Sequence, residues 1–103
     1  MNTRKKASTG RLWIRLIKDH RALRDITVPC RKEDPLTALR EAMHELDLGM
    51  PIWLPRHQMD WKSFALTKFT QDHFMEAINF DRMEMSYIAP DEERKPPKFT
   101  EDN

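Results

Sequence analysis

Two short runs of alternating side chains do most to limit what this chain can fold into. In RLWIRLIK, residues 11–18, Leu12, Ile14 and Leu16 alternate with Trp13, Arg15 and Ile17. A polar break follows, DHRA at 19–22. LRDITVPC, residues 23–30, then sets Ile26, Val28 and Cys30 against Asp25 and Thr27. A period of two is that of a strand with one buried face, and two such runs around a short break predict an antiparallel hairpin. Pro29 lacks an N–H, so it suits a strand end or a sheet edge.

The pattern then changes to a helical one. Asp34-Pro35 is a helix start, with Asp as cap and Pro at the first position, where its missing N–H removes no bond. Leu36, Leu39, Ala42, Met43 and Leu46 recur at steps of three and four, which is one apolar stripe. The helix is expected over 35–48, with Gly49 as its stop and Pro51 just beyond. Residues 51–55, PIWLP, are apolar and framed by prolines, and read as a short edge strand. HQMDWKSFA predicts one or two helical turns, ALTKF a short strand, and Thr70 the cap of a short helix to about Ala77. In FDRMEMSYI, residues 80–88, Met83, Met85 and Tyr87 alternate with Arg82, Glu84 and Ser86. That is a last strand with one buried face.

The order strand, strand, helix, short strand, irregular helical segment, strand implies an α+β fold. A small, mainly antiparallel sheet of about four strands begins with the N-terminal hairpin. One main helix and short irregular helices pack on it. Residues 1–10 read as a flexible basic arm, 11–89 as a single domain, and 90–103, proline-rich and charged, as a disordered tail. Nine aromatics and seven methionines among 103 residues argue against disorder throughout. Ile52, Leu54, Trp61, Phe64, Phe69 and Phe74 are expected to fill the core.

Several chemistries are excluded. Gly10 and Gly49 are the two glycines, and neither lies in a Gly-rich turn between strand and helix. A P-loop and a dinucleotide fingerprint both need several glycines so that backbone can approach phosphate. The G-x-S-x-G nucleophile elbow is missing as well. His44-Glu45 begins like a zinc-protease helix, but Leu48 stands where the second histidine belongs. No cofactor is expected. A lone cysteine, Cys30, cannot close an internal disulfide. It shares a strand face with Ile26 and Val28, so an inert buried thiol is favoured over a nucleophile. Together with the lack of a secretory signal or a long apolar run, this predicts a cytoplasmic protein that does not enter membranes.

Two groups of residues remain as candidate sites. His57, Asp60, Asp72 and His73 form two acid–histidine pairs, which could bind a metal or act as a general base with an orienting carboxylate. The spacing is generic, and the simpler account is favoured: both histidines make ordinary hydrogen bonds at loop or helix ends. The second group follows from charge. Residues 1–32 carry ten Lys or Arg against two Asp, a net +8, while residues 33–103 carry a net −7. Mutual neutralisation of the two halves is favoured over a binding surface. If a surface exists, Arg11, Trp13, Arg15, Arg21 and Arg24 would hold single-stranded nucleic acid by stacking and phosphate contact. The competing account buries Trp13 in a second layer, with the arginines wrapped around it. The leading functional reading is a non-catalytic binding module with a protein or nucleic-acid partner. The alternative is a small metal-assisted or acid–base enzyme using the His/Asp group.

Overall fold

A computed structural model describes residues 9–90. The arm expected at 1–10 therefore lies outside the described residues up to position 8, and the expected tail lies outside them from position 91. Strand β1, Gly10–Lys18, pairs with β2, Arg21–Cys30, as the alternation requires. Helix α1, Pro35–Leu46, and helix α2, Pro55–Phe64, follow. Strand β3, Leu66–Phe69, a 3-10 turn, Gln71–His73, and strand β4, Arg82–Ile88, complete the order. The sheet is antiparallel throughout, in the order β2-β1-β4-β3. No helix among the described residues is long and apolar enough to cross a membrane.

The hairpin loop is tighter than the expected four residues. Asp19 and His20 alone turn the chain, both at positive φ (53° and 66°), the backbone shape of a type I′ turn that matches strand twist. Leu16 then pairs with Arg24 but Ile17 with Ala22, so Leu23 is an extra residue, a bulge in β2. The face carrying Leu12, Ile14, Leu16, Val28 and Cys30 is buried together with Met83, Met85 and Phe69. Helix α1 lays Ala38, Leu39, Ala42, Met43 and Leu46 onto that face. Its start is as the residues imply: Asp34 accepts the Thr37 N–H at 3.3 Å and the Thr37 hydroxyl at 2.7 Å.

The end of α1 is different from the expectation. The helix stops at Leu46, and Asp47, at φ 60°, takes the left-handed cap position in place of Gly49. Asp47 N–H donates to the His44 carbonyl and Leu48 N–H to the Met43 carbonyl, the paired bonds of a Schellman motif. Short polar Asp tolerates this conformation, and the half-buried Leu48 can then turn back toward the core. Gly49 has no positive φ. Its N–H donates instead to Glu76 Oε2 at 3.3 Å.

Residues 51–54 form no strand. They run as an extended link whose Ile52 N–H donates to the His73 carbonyl at 2.8 Å. A single bond to a turn replaces the ladder that a strand would need. The core roster is also revised. Trp61, Phe69 and Phe74 are buried, but Ile52 is 44% exposed and Phe64 68% exposed, and Leu54 is half-buried. Phe64 is the last residue of α2, where the chain turns through Ala65 into β3, so it points away from the layer that Trp61 fills. The helical segment expected from Thr70 to Ala77 shrinks to the three-residue 3-10 turn.

Candidate functional site

The four residues of the His/Asp group separate into a pair and two outliers. Leu54 precedes α2 and has no side-chain acceptor to cap it. His57, three residues on, reaches back instead, and its Nδ1 accepts the Leu54 N–H at 2.8 Å. The same device recurs at the 3-10 turn, where His73 Nδ1 accepts the Thr70 N–H at 3.0 Å. Each histidine takes the place that Glu or Gln has in a capping box. Both rings are buried, His57 completely, and they meet edge to face with centroids 4.7 Å apart. Phe69 lies 4.4 Å from the His57 ring and Trp53 5.8 Å from it.

Asp60 and Asp72 stand apart from this pair. Asp60 accepts the hydroxyl of buried Thr67 at 3.0 Å, tying α2 to β3. Asp72 is exposed. Burial pushes the His57 pKa down from its ordinary value, with the neighbouring His73 ring and the Arg56 guanidinium acting in the same sense. Asp60 and the Lys68 carbonyl oppose them. Among the described residues, no three His, Cys, Asp or Glu side chains gather to hold a metal ion. Cys30 is buried, and desolvation chiefly, with Asp34 and Glu33 nearby, pushes its thiol up to about 11. Its Sγ donates to the Arg31 carbonyl at 3.4 Å. A thiol held protonated in this way is a poor nucleophile at neutral pH.

The basic candidates divide between two surfaces. Arg11, Trp13 and Arg15 share the face of β1 opposite α1. Trp13 is buried, and its indole N–H donates to Asp25 on β2 at 3.0 Å. Arg15 lies over the Trp13 ring, 5.0 Å from its centroid, and reaches Glu84 on β4 at 3.5 Å. Among the described residues, this pair and the exposed Arg31–Glu33 pair, at 3.5 Å, join the basic N-terminal third to the acidic remainder.

Arg21 and Arg24 lie elsewhere, on the free end of the hairpin. From Arg21 to Asp25 every residue of β2, an edge strand of the sheet, is exposed. Lys18 pairs directly with Arg21, and Arg24 with Leu16, so the three cations share one sheet face. None has an ion pair among the described residues. Like charges placed opposite one another destabilise a ladder. A groove of about 540 Å³ adjoins Arg24, with Leu16, Leu23, Leu46 and Phe80 as apolar lining and Asp47 and Glu76 also in its wall. Sequence reading did not single out Lys18 and Leu23. The cross-strand register that faces Lys18 with Arg21 depends on a two-residue turn, and the prominence of Leu23 on the bulge.

Compared with family models, curated proteins and solved structures, the chain matches none.

Proposed function

We propose that the protein is a non-catalytic binding module that holds single-stranded nucleic acid on the free end of its β1–β2 hairpin. The observation that carries this reading is the facing of Lys18 with Arg21, beside Arg24, on an exposed strand with no acid paired to any of them. Such a cluster is unfavourable alone and is relieved by a row of phosphates, whose bound counterions are released on contact. The adjoining groove offers apolar walls for a base, and Asp47 and Glu76 can accept from exocyclic amino groups. Stacking on Trp13 has no part in it, because that ring is buried and its N–H engaged. The proposed setting is the cytoplasm, supported by a single thiol that is buried and kept protonated.

Titration with mixed-sequence single strands tests the reading. Affinity should fall with salt at a log–log slope of about −2, from roughly −0.7 for each of three phosphates. Replacing Lys18, Arg21 and Arg24 together by Gln should remove that slope and weaken binding at least about tenfold, whereas Trp13→Phe should leave it. The reading is wrong if no saturable complex forms at low salt. It is also wrong if polyglutamate competes as well as the nucleic acid, which would point to an acidic protein as partner.

A further inference from the structure

The histidine pair has no part in the binding surface, yet it holds the least regular part of the molecule together. Because His57 Nδ1 accepts the Leu54 N–H, the proton of the neutral ring must sit on Nε2. That Nε2 is buried without a hydrogen-bond partner among the described residues. A second proton has only Nδ1 to go to, where it would face the Leu54 N–H head on. His73 packs edge to face on this ring, its Nδ1 accepting the Thr70 N–H and its Nε2 3.1 Å from Arg56 Nη2.

We propose that His57 is an acid-sensitive latch: as a neutral ring it closes the N-terminus of α2, and on protonation it releases it. The part released is the first turn of α2, with the 51–54 link that leads into it. Groups from several elements face the ring and act on its charged form. From α2, Arg56 opposes it, as does the positive end of the helix dipole. Asp60, which also accepts the Thr67 hydroxyl, favours it but is outweighed by burial. From β3 come the ring of Phe69 and the carbonyl of Lys68, whose side chain is exposed. The 3-10 turn adds exposed Asp72, and the 51–54 link adds the uncharged ring of Trp53.

The folded-state pKa of His57 lies below the ordinary 6.5. Above 6.5 neither the folded nor the unfolded chain protonates it, and the contribution to stability is complete. As pH falls below 6.5 the unfolded chain takes up a proton that the folded chain refuses, so stability is lost through that window.

Thermal unfolding of the full chain between pH 7.5 and 5 is the test, alongside H57Q. Gln at the third helical position can accept the same backbone N–H without titrating. The wild-type midpoint should drop by about 5–10 °C between pH 7.5 and 5.5, a change of roughly 1 kcal/mol or more for a domain of this size. H57Q should lose most of that drop. A flat wild-type profile overturns the latch, and so does an H57Q variant with an undiminished drop. Should H57Q fail to fold, hydrogen exchange of the wild type decides. The Leu54 amide should lose protection on acidification ahead of the β1 amides. Loss of all of them together overturns the proposal.

Discussion

The free end of the β1–β2 hairpin and the segment from Pro51 to Phe74 are built by opposite means. The hairpin end is regular and exposed: a two-residue turn, a continuous ladder, and side chains from Arg21 to Asp25 that bury almost nothing. The 51–74 segment is irregular and packed. It holds two Trp, three Phe and two His, and side chains close its backbone groups where no ladder or intact cap does. His57 and His73 accept backbone N–H groups there, and buried Trp61 donates its indole N–H to the Lys32 carbonyl at 2.9 Å. The difference teaches where sensitivity lies. Backbone hydrogen bonds of a hairpin tolerate changes of exposed side chains, whereas a segment held by side chains fails when one of them is changed.

The largest expected effect falls in the packed segment. Phe69→Ala should destabilise by about 3–5 kcal/mol, as loss of a large buried ring does, while Phe64→Ala and Ile52→Ala should change stability by less than about 0.5 kcal/mol. Urea unfolding measures all three. A neutral Phe69→Ala would break the comparison, since the segment would then be surface despite its composition. Leu39→Ala, on the inner face of α1, should lose about 2–5 kcal/mol by the same mechanism and calibrates the series.

The next effect probes a crowded point at the start of the hairpin. A Cβ on Gly10 would run into the Ile88 carbonyl oxygen and the Tyr87 hydroxyl. Gly10→Ala should therefore lower stability by about 1–3 kcal/mol, as overpacking does. A melting midpoint equal to that of the parent would mean that β1 begins later than Gly10. Asp34→Ala should lose about 1 kcal/mol, the usual contribution of a helix cap, read by the same melt.

The smallest effect has the opposite sign. His20 sits at φ 66°, a conformation that is unfavourable for any residue with a Cβ. His20→Gly should raise stability by about 0.5–1 kcal/mol, since the left-handed backbone costs a non-glycine residue at least that much. A loss instead would show that the His20 side chain makes a contact that the free hairpin end is not expected to need.

Much of the fold was legible. Strict alternation in 11–18, 23–30 and 80–88 placed β1, most of β2 and β4, because only one pairing buries every apolar face. Asp34-Pro35 marked the start of α1, because cap chemistry is local. The end of that helix was misread, because Asp47 can take the left-handed position through its own short polar side chain, and a glycine two residues later was the stronger local signal. The strand expected at PIWLP did not form, because pairing needs a neighbouring strand and its Ile52 N–H goes instead to the His73 carbonyl of the 3-10 turn. Of the candidate sites, His57 and His73 make hydrogen bonds at helix ends, which their positions allow, but nothing in H-Q-M-D or D-H-F says that the two rings touch.

By itself, the sequence determined the periodicities, the cap at Asp34, the exclusion of phosphate loops, and the split of charge, since each depends on neighbours within a few positions. Tertiary structure alone decided which aromatics became core, that Trp13 closes onto Asp25, that His57 and His73 meet edge to face, and that Lys18 faces Arg21. Those outcomes depend on strand order, on a one-residue bulge at Leu23, and on a turn of two residues and not four. A single-residue change in register moves a side chain to the other face of a sheet, so no local pattern could have fixed them.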